Sequence, residues 1–172
     1  DSSMPPQDWF VSLRFVNDAL MRSSAVKIAN VLPYMKYSRQ DRMSEPRTPI
    51  SASVVAKALN DSTSRILTTD LHNPAVQGSY LIPFDNLKAY PVIIEYLKEN
   101  YSDFLKNAVI LAPDVGSAKR ADSYAKRLGL DVAIAHKKRA KAGVVESMQI
   151  IGDINEKNVL IVDDMIDTGG TL

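Results

Sequence analysis

Val159-Leu160-Ile161-Val162-Asp163-Asp164-Met165-Ile166-Asp167-Thr168-Gly169-Gly170-Thr171 is the stretch that decides the fold. Its apolar β-formers deliver two carboxylates to the carboxyl end of a strand, where open α/β sheets bind ligands. Asp167, Thr168, Gly169, Gly170 and Thr171 follow. Glycine permits positive φ and close backbone approach, so successive amide hydrogens can converge on a phosphate at a helix start. Thr168 and Thr171 add hydroxyl donors. Asp163 and Asp164 stand one step earlier, placed to accept from sugar hydroxyls or to hold a divalent cation. A Gly-Gly pair alone would read as an acidic N-cap and a flexible turn. The full string is far more specific, and it predicts a phosphate-binding turn.

Upstream, the pattern predicts alternating helices and short apolar strands. Trp9, Leu13, Val16 and Leu20 recur at helical spacing, so Pro6 to Arg22 is expected to be an amphipathic helix. Ala25 to Leu32 is β-rich and stopped by Pro33, whereas Tyr34 to Pro49 is polar and Pro-punctuated, hence a loop. Ala52, Val55, Ala56 and Leu59 mark a second helix. Arg65 to Thr69 is a short strand delivering Asp70, Leu71 and His72, and Tyr90 to about Tyr101 is a third helix. The pattern then restarts with a strand at Ala108 to Leu111 and a turn at Ala112 to Gly116. A helix at Lys119 to Leu128 turns Ala121, Tyr124, Ala125 and Leu128 inward, and strands follow at Val132 to Ala135 and Asn158 to Val162. Such alternation implies mostly parallel sheets covered on both faces. The two runs divide around Ser102 to Asn107, with no sequence repeat between them.

The 172 residues are 45% apolar, enough to build a core without staples. Twenty-one basic and twenty acidic residues leave a net charge of +1, which argues against a polybasic nucleic-acid or membrane surface. With no cysteine there is no disulfide framework and no thiolate metal site, which fits a reducing compartment. No apolar run approaches the roughly 20 residues needed to span a bilayer, and the first residues carry no signal-peptide pattern. The expectation is a soluble, cytoplasmic domain. The stop directly after a Gly-rich loop that should open a helix suggests a fragment lacking sequence at both ends.

Several other residues could carry chemistry. Arg39 and Arg42 offer planar forks suited to polyphosphate, and Gln40 can bond an adenine edge. Alone, that segment would be a solvated loop. His72 is one of two histidines and follows a strand; such a residue is more often structural, yet with Asp70 nearby it can bear on a metal–nucleotide complex. Asp114 could simply start a turn beside Pro113. Lys137, Lys138, Arg139 and Lys141 form the densest positive cluster, with no carboxylate before Glu146; a charge run is usually a solvated face.

The closing motif matches the phosphoribosyl diphosphate loop shared by phosphoribosyltransferases and ribose-phosphate diphosphokinases. Other segments separate the two. Tyr37-Ser38-Arg39-Gln40-Asp41-Arg42 followed by Arg47-Thr48-Pro49-Ile50-Ser51-Ala52 resembles the diphosphokinase segment that contacts ATP. Asp70-Leu71-His72 followed by Val76-Gln77-Gly78 resembles its metal- and nucleotide-contacting histidine segment. Pro113 to Arg120 resembles the turn that supplies a metal-linked aspartate. His136-Lys137-Lys138-Arg139 followed by Val144-Val145-Glu146 resembles its catalytic loop. Order and spacing agree with the diphosphokinase family from Ala25 to the end; a transferase would match only the last segment.

The resemblance implies an α/β fold of two type I phosphoribosyltransferase-like units, each a mostly parallel sheet flanked by helices, over 1–104 and 105–172. It implies diphosphoryl transfer from Mg-ATP to the 1-hydroxyl of ribose 5-phosphate. Lys137 and Arg139 would be catalytic, and Arg39, Gln40, Asp41 and His72 would bind ATP. Asp163, Asp164, Asp167, Thr168, Gly169, Gly170 and Thr171 would bind ribose 5-phosphate, and His72 with Asp114 would hold Mg2+. It further implies a homo-oligomer, commonly a hexamer built from dimers, with part of the ATP site from a neighbouring subunit. A non-catalytic regulatory homologue and a phosphoribosyltransferase are the alternatives. Two positions depart from the family pattern: Asn73-Pro74 stand where a small residue is usual, and Ser79 where an aromatic is common.

Overall fold

The computed structural model describes residues 3–138 and 147–166, with 137, 138 and 147 described by backbone only. The chain divides into two compact units, Asp1–Lys88 and Ala89–Leu172. In the first, α1 (Pro6–Arg22), β1 (Ala29–Leu32), α2 (Ser51–Asn60), β2 (Arg65–Thr69), a 3-10 turn (Pro74–Ser79) and β3 (Phe84–Leu87) follow in order. The strands form a parallel sheet in the order β1-β2-β3. Trp9 of α1 and Ala52, Val55, Ala56 and Leu59 of α2 bury against Leu32, Ile66 and Leu71. The four α2 positions are those its apolar spacing predicts.

α1 has the expected limits but a rotated face. Trp9 and Asn17 are its buried residues, whereas Val16 and Leu20 are exposed at 56% and 42%. Asn17 turns inward because its Nδ2 donates to Ser62 Oγ (3.3 Å), and Arg14 donates to the Ala58 carbonyl. Apolar spacing alone does not foresee a helix docked by its polar side chains. β1 starts at Ala29, later than the β-rich run at Ala25 suggests, because its partner begins only opposite Arg65. Val26 is 93% exposed and contributes no ladder. β3 contains Asp85 and Asn86, residue types depleted in strands, which hides it from propensity.

The second unit contains α3 (Tyr90–Asn100), α4 (Ser102–Leu105), β4 (Ala108–Ala112), α5 (Ala118–Leu128), β5 (Asp131–Lys138), β6 (Ser147–Ile151) and β7 (Asn158–Ile161). The sheet order is β6-β5-β4-β7, parallel except for the antiparallel edge strand β6. Central β4 reads Ala-Val-Ile-Leu-Ala and is buried almost throughout, as a strand covered on both faces requires. Ile94 of α3 and Ala121, Tyr124 and Ala125 of α5 pack against Ile110, Ala112 and Val162. Sequence spacing placed α3 before the boundary, at 104. The structure divides the chain after Lys88, because Ile94 joins this second core and the Tyr90 ring meets Tyr124 edge-on at 6.3 Å.

Candidate active site

In the second unit, parallel β4 and β7 end side by side and present carboxylates there. Asp163 and Asp164 follow β7 directly. The Asp164 amide donates to Asp163 Oδ1 at 2.8 Å, folding the first carboxylate back on its own backbone. Across from them, Asp114 follows β4. Its Oδ1 accepts from the Ser117 amide (2.8 Å) and from Ser117 Oγ (3.1 Å), which closes the turn into α5. Gly116 leaves that turn open: a Cβ there would lie 3.2 Å from Asp114 Oδ1.

Arg120, in the first turn of α5, faces the pair that follows β7. Its guanidinium lies 3.8 Å from Asp163 Oδ1 and 3.6 Å from Asp164 Oδ1. Those distances exceed hydrogen-bond range, so the attraction is through charge. Burial pushes the Asp163 carboxyl above its ordinary range. The Asp164 amide opposes this, while the Asp164 carboxyl and the charge of Asp114 push the same way as burial. The Arg120 guanidinium is the cation nearest this crowding, beyond hydrogen-bond length from either carboxylate. Asp114, Asp163, Asp164 and Arg120 therefore form one charged cluster at the strand ends. Sequence spacing singled out the carboxylates but gave Arg120 no role, since nothing before folding shows which turn of α5 meets β7.

Lys137 lies on a two-stranded overhang. β4 pairs with β5 only as far as Ile134, whereas β5 and β6 stay paired from Ile134 to Lys138, with Lys137 opposite Met148. The expected site residues Arg139, Asp167, Thr168, Gly169, Gly170 and Thr171 lie outside the described residues.

In the first unit, the segment at Arg39 and the segment at His72 come together. Asn73 Nδ2 donates to Asp41 Oδ2, and Asn73 Oδ1 accepts from the Ala75 amide at 3.0 Å. The Gln40 carbonyl accepts from the Ala52 amide (3.1 Å) in the first turn of α2. At the exit of β2, Asp70 takes φ 45°, a left-handed conformation that Asp tolerates better than most residues. Its amide still donates to Leu87 O at 2.9 Å, while Lys88 Nζ approaches its carboxylate at 3.7 Å. The bend buries Leu71, whose amide donates to Asn86 Oδ1 (3.0 Å), and leaves His72 and Arg39 exposed. Gln40, Asp41 and His72 thus sit on adjoining turns, with Arg39 beside Gln40.

His72 belongs to the first unit and Asp114 to the second. No group of three or more acidic or histidine side chains able to hold a metal ion occurs among the described residues. No helix among them is long and apolar enough to cross a membrane.

Comparison with known proteins gives one consistent result. Residues 1–62 match the family model for the N-terminal domain of ribose phosphate pyrophosphokinase, and residues 84–172 match that for the phosphoribosyl transferase domain. The chain is 48% identical to the ribose-phosphate pyrophosphokinase of Chlorobaculum tepidum over 99% of its own length and 53% of that protein. It is 46% identical to the Rhizobium meliloti protein of the same name, over 99% and 55% respectively. A crystal structure of phosphoribosylpyrophosphate synthetase from Mycobacterium smegmatis superposes with a TM-score of 0.86 at 36% identity, covering 96% of this chain and 53% of the other. The chain spans about half the length of the curated relatives it matches.

Proposed function

This chain belongs to the ribose-phosphate pyrophosphokinase family, and on that premise we propose that it carries the diphosphoryl-transfer machinery of such an enzyme. The reaction moves the β,γ-diphosphoryl group of ATP to the 1-hydroxyl of ribose 5-phosphate, giving 5-phosphoribosyl 1-diphosphate and AMP. The 1-hydroxyl oxygen bonds to the β-phosphorus, the bond from that phosphorus to the α,β-bridging oxygen breaks, and AMP leaves with the bridging oxygen. The hydroxyl proton passes to solvent.

Such a transfer asks for in-line positioning and cancellation of charge on phosphate oxygens more than for covalent work by the protein. The observation that carries the reading is the cluster at the ends of β4 and β7, two carboxylates held by Arg120 beside Asp114. Asp163 and Asp164 would accept from the sugar hydroxyls, which fixes the nucleophile, and Asp167 to Thr171 would take the 5-phosphate. Arg39, Gln40, Asp41 and His72 would orient ATP. Lys137 and Arg139 would close over the migrating group and neutralise its oxygens.

Mg2+ demands hard oxygen ligands and is usually held by one or two carboxylates plus substrate phosphates rather than by an all-protein cage. Asp114 offers such an oxygen ligand, with its Oδ1 bonded to Ser117. His72 and Asp114 would support the cation. The bound ion would supply charge neutralisation on the diphosphoryl oxygens. A homo-oligomer, a cytoplasmic location and no nucleic-acid partner complete the proposal.

The deciding experiment incubates the full-length protein with ATP, ribose 5-phosphate and Mg2+ and follows products by chromatography. AMP and 5-phosphoribosyl 1-diphosphate in equal amounts are expected. No AMP under these conditions refutes the reading, and base-dependent release of diphosphate from added 5-phosphoribosyl 1-diphosphate, in a separate incubation with a nucleobase, would assign a phosphoribosyltransferase instead.

A further inference from the structure

The geometry points to Asn73 as a positioning residue that locks the Arg39–Asp41 turn against the His72 turn, presetting the nucleotide-binding half of the site. The inference rests on the reading above, in which those turns receive ATP.

Asn73 uses both ends of one amide. Its Oδ1 accepts from Ala75 N–H at 3.0 Å, capping the 3-10 turn Pro74–Ser79, while its Nδ2 donates to Asp41 Oδ2. The backbone is pinned as well. A residue before proline is driven toward extended geometry, and Asn73 takes φ −127° and ψ 118°. Pro74 fixes the next φ, buried Val76 anchors the turn in the core, and the Tyr80 amide closes it on Gln77 O at 3.0 Å. The amide therefore projects from a stiff mount.

Its partner is mounted on the opposite side. The Gln40 carbonyl accepts from Ala52 in the first turn of α2, and the Gln40 amide donates to Tyr37 O at 3.2 Å. Asp41 follows directly, so a bond to its carboxylate transmits the position of the His72 turn to Arg39 and Gln40. A charged acceptor makes this bond stronger than a neutral pair.

Behind the bond lies a small cavity of about 80 Å3, lined by Asp41, Asn73, Ala52, Ser53, Val76 and Ser79. It is far below the roughly 300 Å3 of a small-molecule site, yet has room for water. That space lets the polar segment settle elsewhere once the bond is gone.

The test compares the wild type, Asn73→Ala and Asn73→Asp as full-length proteins, measuring initial rates against ATP and against ribose 5-phosphate, with thermal melting alongside. Aspartate keeps the acceptor for Ala75 but removes the donor and sets a second carboxylate against Asp41. Asn73→Asp should raise the ATP KM by about ten-fold, the value of one hydrogen bond to a charged partner. The ribose 5-phosphate KM and the melting temperature should stay near wild type. Asn73→Ala should raise the ATP KM similarly and also melt earlier, since the cap is lost. A wild type that forms no AMP sinks the underlying reading and this inference with it. An active wild type whose Asn73→Asp variant keeps its ATP KM overturns the positioning role alone. So does a variant in which both KM values and the melting temperature move together, because that is the signature of a purely structural residue.

Discussion

Replacing Arg120 by alanine tests the charged cluster most directly. The guanidinium lies 3.6 Å from Asp164 and 3.8 Å from Asp163, with about a quarter of the arginine side chain exposed. At that separation two unit charges attract by about 1 kcal/mol in bulk water and about 4 kcal/mol at the effective dielectric near a protein surface. Discounting for partial exposure leaves roughly 2 kcal/mol, or about thirty-fold in an equilibrium constant. Arg120→Ala should therefore raise the ribose 5-phosphate KM by about that factor while leaving the ATP KM nearly unchanged. A pH signature accompanies it. Burial already holds the Asp163 carboxyl above its ordinary range, and removing a cation 3.8 Å away disfavours its ionised form further, so Asp163 should keep its proton to higher pH. The acid limb of kcat/KM for ribose 5-phosphate should move toward neutral pH. Because neither contact is a hydrogen bond, a lysine carrying the same charge should restore most of the loss. Steady-state rates from mildly acidic to alkaline pH read all three outcomes. An Arg120→Ala enzyme with an unshifted acid limb refutes the charge argument, and an Arg120→Lys enzyme as impaired as the alanine variant shows that guanidinium shape matters instead.

Other outcomes follow from the same geometry. Asp163→Asn should abolish measurable ribose 5-phosphate binding by calorimetry yet raise the melting temperature at neutral pH. A carboxyl whose folded pKa is raised binds its proton more tightly in the native state, so its contribution to stability is present below the unfolded pKa and lost as pH rises through the folded one. The gain should vanish in acid. Lys137→Ala should lower turnover by about 10²–10³ with little change in either KM, as expected when a charge-assisted donor acts on the transition state. A rise in KM with turnover kept would remove that role. Gly152→Ala should cost at least 2 kcal/mol, roughly, from φ +115° and a Cβ 3.0 Å from Ala133. Urea titration of the variant checks it.

Sequence read the fold well wherever one element obeys one period. α2 buries the residues its spacing names, α5 buries Ala121, Tyr124 and Ala125 with Leu128 half-buried against the same core, and β4 is a short apolar run ending just before Pro113 and Asp114. Elements failed to show where tertiary context overrides pattern. β3 is polar in sequence because ladder hydrogen bonds to β2, rather than apolar burial, define it. β6 forms only by pairing with the far end of β5. α1 presents Asn17 inward because Ser62 accepts it, a partner 45 residues away. The site divides in the same manner. Asp114, Asp163 and Asp164 are legible as candidates because each stands one to three residues after a short apolar strand that the sequence itself marks. Arg120 and Asn73 are not, because each acts through a side chain distant in sequence: Arg120 through Asp163 and Asp164, Asn73 through Asp41.

Three strands leave their sheets on a carboxylate, each by a different local device. β2 exits through left-handed Asp70, β4 through the Asp114–Ser117 turn, and β7 through the Asp164 amide bonded to Asp163. In the latter two, the backbone or a neighbouring hydroxyl fixes the carboxylate before any ligand arrives. Such preorganisation lowers the cost of ordering at binding, but it concentrates negative charge in half-buried positions. Burial first, and after it the neighbouring carboxyls of Asp164 and Asp114, push the Asp163 carboxyl above its ordinary range. Sugar hydroxyls donating to the pair, or a cation near Asp114, would relieve that repulsion, and on the proposed function the strain of the free protein would become binding energy for the sugar phosphate. The opposite signs expected for Asp163→Asn, a gain in stability with a loss of binding, are therefore two readings of one electrostatic cost.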